Sequence, residues 1–134
     1  MLLRLLLVDD SDFVRAGLRS IFASRSDWQI CGEAADGVTA IAKVLELAPD
    51  VVILDMTMPV MNGFEAAKEI RRLAPSTKII LFSVHDVPVD GLPVDAFVSK
   101  SAGADGLIVA IKRLTASIAQ TETASQAQAK VRPA

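Results

Sequence analysis

Val51-Val52-Ile53-Leu54-Asp55-Met56-Thr57-Met58-Pro59 is the stretch that decides the fold. Four consecutive apolar residues, three of them β-branched, lead into a lone carboxylate, and Pro59 follows four positions later. A short run that is apolar at every position marks a strand covered on both faces, as in a parallel sheet. Asp55 then stands at that strand's carboxyl end, where open α/β sheets gather their ligands. On its own Asp55 reads more simply as the start of a turn. Three other segments change that balance.

Leu3 to Val8 reads as a first strand ending at Asp9-Asp10. Lys78 to Ser83 reads as a fourth strand ending in a hydroxyl, and Val94 to Ser99 as a fifth, ended by Lys100. Trp28 to Ala34 is a weaker second strand. Between them lie helical periodicities with good starts. Ser11 caps a helix that repeats apolar residues at Val14, Leu18, Ile21 and Phe22. Asp36-Gly37 opens another with Ile41, Val44, Leu45 and Ala48 inward, closed by Pro49. Asn62-Gly63 starts a third, running to about Ala74 with Phe64, Ala67, Ile70 and Leu73 on one side. Its Lys68, Arg71 and Arg72 read as a solvated face. A last helix runs from Ala104 or Asp105 to Ile118, with Leu107, Ile111, Leu114 and Ile118 on one stripe. Alternating strands and helices argue a parallel sheet with helices on both faces. Between His85 and Asp95, Pro88, Gly91 and Pro93 leave room for a turn or two where a fourth helix belongs.

With 134 residues the chain is one domain, long enough to bury roughly two thirds of its unfolded surface. A net charge of −2 offers no basic surface for nucleic acid. Cys31 is the sole cysteine, which excludes an internal disulfide, and it reads as a small buried hydrophobe. Met1 to Val8 looks like a signal peptide, but Asp9-Asp10 follows at once with no small-residue cleavage site. No apolar run is long enough for a bilayer, so the expectation is a cytoplasmic protein with no membrane partner. Residues 1–119 form the domain, and the Gln-, Thr-, Ser- and Ala-rich residues 120–134 form a flexible tail.

Asp9, Asp10, Asp55, Ser83 and Lys100 all fall at carboxyl ends of expected strands, which share one edge of a parallel sheet. Each alone has a dull explanation, and their joint placement does not. Three carboxylates at one spot repel unless a cation compensates. Magnesium commonly takes one or two carboxylates beside a phosphate, and Lys100 supplies a fixed positive charge for a phosphate oxygen. Asp55 is placed as a nucleophile forming an aspartyl phosphate, and the Ser83 hydroxyl can bond the new phosphoryl oxygens. Met58 and Met61 read as packing residues.

Asp9-Asp10, Asp55 with Met58-Pro59 and Asn62-Gly63, Ser83, Phe97 and Lys100 resemble the signature of bacterial response-regulator receiver domains. The resemblance covers residues 1 to about 118. It implies a flavodoxin-like (CheY-like) doubly wound sheet of five parallel strands in the order 2-1-3-4-5, here with helix four degraded or missing. It implies that Asp55 accepts phosphate from a sensor histidine kinase or phosphotransfer protein, and that phosphorylation switches binding of a downstream protein target. Asp10, Asp55 and the Thr57 backbone carbonyl would bind Mg2+, with Asp9 assisting through water. Lys100 would pair with Asp55 and then with the phosphoryl group. Ser83 and Phe97 would form the switch. Thr57 and His85 would tune the phosphoryl lifetime, although His85 also reads as a loop histidine with no role.

Three features depart from the family pattern. Ser101 follows Lys100 where receivers usually carry Pro after a cis bond, and a cis bond before Ser costs about 2.5–4 kcal/mol. The Ser83–Lys100 segment is short, which argues against the usual receiver dimer face. Phe82-Ser83-Val84 resembles receivers that head helix-turn-helix regulators, yet no DNA-binding domain is expected here. A receiver-fold module that signals without phosphorylation is the competing expectation. An aspartyl-phosphate hydrolase ranks below it because Thr57 stands where those enzymes place a second carboxylate. A flavin carrier ranks lower still, as no phosphate loop follows strand one.

Overall fold

The structure, a computed structural model, describes residues 2–84 and 91–116. Among these, β1 (Leu3–Val8), β2 (Trp28–Ala34), β3 (Val51–Leu54), β4 (Lys78–Ser83) and β5 (Ala96–Ser99) form one parallel sheet. The strand order is β2-β1-β3-β4-β5, the flavodoxin-like arrangement that the resemblance implies. The winding reverses between β1 and β3, and at such a reversal the loops part to leave a crevice. The segments after β1 and β3, carrying Asp9-Asp10 and Asp55, flank it.

Alternation along the strands divides the interior into two cores. Leu3, Leu5 and Leu7 of β1, Val51 and Ile53 of β3, and Ile80 and Phe82 of β4 face one side. There they meet Leu18 and Phe22 of α1 (Asp12–Phe22), and Leu107 and Ile111 of α4 (residues 103–116). Leu6, Val8, Val52, Leu54, Ile79 and Leu81 face the other side. Their partners are Ala40 and Val44 of α2 (Gly37–Leu47), and Ala66, Ala67 and Ile70 of α3 (Gly63–Leu73). Every residue of β3 is buried, so the strand carrying Asp55 lies at the centre of both cores. The caps fall where expected: Ser11 accepts from Val14, Asp36 from Thr39, and Asn62 with Glu65 closes a capping box.

Several expectations need correcting. Leu45, expected inward, is 59% exposed, and Ile21 and Leu73, which fit their helices' apolar stripes, are exposed as well. Ala48 is the left-handed C-cap of α2 and not part of its stripe. Small residues, Ala40, Ala66 and Ala67, line the inner helix faces and let α2 and α3 lie close to the sheet. Strand five begins at Ala96, not Val94, because the Asp95 carboxylate itself accepts the Ile79 N–H at 2.7 Å. Arg71 is more than a solvated cation: it donates to that carboxylate at 2.5 Å and to the Thr77 carbonyl at 3.3 Å. This pins α3 to the start of β5. Arg71→Ala should therefore lower stability by about 1–2 kcal/mol in urea unfolding, and a loss under about 0.5 would mean the pin is idle. The Lys100–Ser101 bond is trans, and Lys100–Ala102 forms a short 3-10 turn capped by Ser99.

Residues 91–95 form a turn and bends, with no helix there. His85 and the expected tail over 120–134 lie outside the described residues, as does Ile118. β2 carries one extra residue: Leu5 pairs with Ile30 but Leu6 with Gly32. Cys31 occupies the bulge, half-buried, its thiol 3.4 Å from the Leu5 carbonyl. Burial pushes that thiol up from its ordinary pKa. No helix among the described residues is long and apolar enough to cross a membrane.

Candidate functional site

The end of β1 delivers Asp9 and Asp10, the end of β3 delivers Asp55, and the end of β5 delivers Lys100. Carboxylate oxygens of Asp9, Asp10 and Asp55 all lie within 4.8 Å of one another. Asp9 is 4% exposed and Asp55 5%, while Asp10 is exposed. The Lys100 Nζ reaches into the group, 2.8 Å from Asp9 Oδ2 and 3.4 Å from Asp55 Oδ1. The expected Lys100–Asp55 pair is present, and the ammonium makes a shorter contact with Asp9 as well.

Asp9 is held at every polar atom. Its N–H donates to the Ala34 carbonyl at 3.0 Å, and its Oδ1 accepts the Ser11 N–H at 2.9 Å. Its Oδ2 takes Lys100, and its carbonyl accepts from Arg15 Nη1. By contrast the Asp10 carboxylate has no hydrogen-bond partner among the described residues. Burial pushes the Asp55 carboxyl above the ordinary carboxylate range, and the Asp9 charge pushes further. The Lys100 ammonium and the Thr57 backbone N–H pull it back without cancelling those effects. Burial alone would lower Lys100, but its bond to Asp9 and the charges of Asp55 and Asp9 outweigh that and hold it above the usual lysine value.

The loop after Asp55 is tightly built. The Asp55 N–H donates to the Val8 carbonyl at 2.9 Å, tying β3's end to β1. The Gly63 N–H donates to the Met56 carbonyl at 2.8 Å. A Cβ on Gly63 would stand 2.2 Å from the Asp55 carbonyl oxygen, so only glycine lets α3 start this close. Met61 N–H donates to the Pro59 carbonyl at 2.7 Å around Val60, whose φ is 71°. That is the left-handed form of the γ-turn, rare and strained for a β-branched residue. Val60 is 87% exposed, whereas Met58 is buried and Met61 packs against the core beneath.

Ser83 ends β4, 1% exposed, paired in register with Ser99 immediately before Lys100. Thr57 is exposed at the rim. Phe97 does not enter the carboxylate cluster. Half-buried opposite Leu81, it packs on the α2–α3 side of the sheet. It also lines a groove of about 330 Å³ with Val98, Gly106, Val109 and Arg113, along the β5 edge and α4. Two residues not anticipated from the sequence join the site's surroundings, Arg15 and Glu33. The signal was present, since Arg15 and Arg19 stand one turn apart on α1 and share a stripe.

A cluster of hard oxygens, two of its three carboxylates buried, with a clamped ammonium suits a phosphoryl group and a divalent cation. Residues 5–112 match the response regulator receiver domain, and the chain belongs to that family. Chemotaxis protein CheY of Thermotoga maritima is 45% identical over 80 residues, 60% of this chain and 66% of that protein. A two-component response regulator of the LuxR family from Aurantimonas sp. SI85-9A1 superposes with a TM-score of 0.80 at 31% identity, covering 87% of each chain. The CheX–CheY–BeF3–Mg2+ complex from Borrelia burgdorferi matches with a TM-score of 0.76 at 26% identity, over 84% of this chain and 88% of that one. The chain spans 66% or less of the first curated relatives it matches. Receiver domains are phosphoacceptor signalling modules, not turnover enzymes, and normally hold Mg2+ in such an acidic pocket.

Proposed function

We propose that Asp55 accepts a phosphoryl group from the phosphohistidine of a sensor kinase or phosphotransfer protein in a Mg2+-dependent reaction, and that this switches binding of a downstream protein. The observation that carries it is the Lys100 ammonium set between Asp9 and Asp55, at 2.8 and 3.4 Å, beside the exposed Asp10. A divalent ion bound at about 2.1 Å from each oxygen spans up to roughly 4.2 Å between opposite ligands. Oxygens within 4.8 Å of one another fit that span after a small side-chain movement.

Asp10 and Asp55 would hold the ion with the Thr57 carbonyl, and Asp9, already engaged with Ser11 and Lys100, would act through water. When bound, Mg2+ supplies positive charge that screens the carboxylates from an incoming phosphoryl group. An Asp55 oxygen attacks phosphorus as the P–N bond to imidazole breaks, the imidazole leaving with the electron pair. Lys100 then meets a phosphoryl oxygen. Ser83 turns its hydroxyl toward another, and Phe97 follows, altering the edge at β5. Phosphorylation adds about one and a half to two negative charges, enough to bias a two-state equilibrium. Thr57 stands at the mouth and His85 two positions after Ser83, where each would tune hydrolysis.

Incubation with Mg2+ and acetyl phosphate should give a base-labile, acid-stable mass gain that disappears in Asp55→Asn and on chelation. No gain in the wild-type protein would sink this reading and favour a module that binds partners without phosphorylation.

A further inference from the structure

Arg15 of α1 touches the backbone of Asp9 in the acidic cluster, its side chain only 13% exposed, and uses all three guanidinium nitrogens. The Nε donates to Glu33 Oε1 at 3.0 Å, Nη2 to Asp12 Oδ1, and Nη1 to the Asp9 carbonyl. The last contact matters most. The Asp9 carbonyl and the Asp10 N–H belong to one planar peptide, so whatever fixes that oxygen fixes the Asp10 N and Cα from which its side chain departs. The rest of Asp9 is already immobile. Asp10 is exposed and its carboxylate has no partner among the described residues, so nothing at its own end aims it.

We propose that Arg15 is a positioning residue for the divalent cation, setting the Asp9–Asp10 peptide plane so that Asp10 points into the site; this rests on the Mg2+-dependent reading above. The guanidinium suits the task because a planar fork reaches three acceptors in different directions, which an ammonium on a flexible stem does not. The Glu33 and Asp12 carboxylates that lie against it offset its charge toward an ion in the crevice. Glu33 also takes Arg19 Nη1 at 2.6 Å, which anchors the arginine end of α1 to the edge strand β2.

A merely structural Arg15 would tie α1 to β2, and any loss of that tie would act alike. Glu33→Gln weakens the same tie, leaving a neutral amide acceptor in place of the carboxylate, and keeps the Asp9 carbonyl contact. Mg2+ alone, titrated without phosphodonor and followed by backbone amide shifts, separates the two. Arg15→Met should raise the Mg2+ dissociation constant about tenfold, the usual scale for a residue that orients a ligand, while Glu33→Gln stays within about twofold of wild type. Arg15→Lys, able to reach one acceptor at a time, should fall between; should Arg15→Met not fold, Arg15→Lys is compared with Glu33→Gln in its place. Wild-type affinity in the Arg15 variants overturns the proposal, as does an equal loss in Glu33→Gln. A wild-type protein that binds no Mg2+ at millimolar concentration overturns the phosphoacceptor reading itself, and this inference with it.

Discussion

Gly63→Ala should destabilise the protein by about 3 kcal/mol and slow phosphorylation of Asp55, although helix propensity predicts the opposite. Within a helix, Ala for Gly gains about 1 kcal/mol. Here the new methyl would stand 2.2 Å from the Asp55 carbonyl oxygen, 2.8 Å from Met56 Cα and 2.9 Å from Asp55 C. All three are backbone atoms, which cannot rotate aside as a side chain can. Either α3 backs away, opening the core beneath Ala66, Ala67 and Ile70, or the end of β3 moves and takes the Asp55 carboxylate off its place beside Lys100. Urea unfolding and the acetyl phosphate rate report both effects. A variant as stable as wild type would show that the close approach of α3 to Asp55 is not a constraint.

Asp55→Asn should make the metal-free protein more stable at neutral pH, on the order of 1 kcal/mol, with a melting temperature raised by roughly 4 °C. The sign follows from the raised carboxyl. Burial and the Asp9 charge together exceed the pull of Lys100 and Thr57, so folding favours the protonated form. A carboxyl with a folded pKa above its unfolded value of about 3.9 binds more protons in the native state. Its stabilising contribution is complete below the unfolded value and is lost as pH rises through the folded one. Asn suffers no such loss, so the gain over wild type should be near zero in acid and reach a plateau above Asp55's folded pKa. The variant gives up the 3.4 Å contact with Lys100 but keeps the ammonium's 2.8 Å bond to Asp9. Added Mg2+ should reverse the order, because ligand at about ten times its dissociation constant stabilises the native state by about 1.4 kcal/mol. A variant less stable than wild type at pH 7 without metal, or a gain unchanged by pH, would contradict the electrostatic account.

Much of this was legible from the residues. Largely apolar runs set β1 and β4, and an unbroken one set β3, and the polar groups that end them marked the crevice. The helix starts were readable because Ser11, Asp36 and Asn62 act through local backbone bonds. What escaped depended on neighbours distant in sequence. Leu45 and Ile21 fit an apolar stripe, yet the inner faces are set by small residues that allow close approach. β5 starts late because Asp95's side chain, not its backbone alone, meets Ile79. The choice of Asp9 as the nearer partner of Lys100 reflects side-chain reach across 91 positions. Arg15 was readable only as half of an arginine stripe with Arg19: its acceptors come from β1, α1 and β2, and only the folded chain brings them to one guanidinium.

The extra residue in β2 has a consequence for parity. Trp28 and Ile30 face the α1–α4 side, and in an unbroken strand Gly32 and Ala34 would follow them there, sending Glu33 beneath α2. Inserting Cys31 inverts the phase. Gly32 pairs with Leu6, Ala34 with Val8 on the α2–α3 side, and Glu33 with Leu7 on the α1 side, within reach of Arg15 and Arg19. A single inserted residue on an edge strand thus decides which side of the sheet receives a carboxylate, and so whether α1's arginines have a counterion at all.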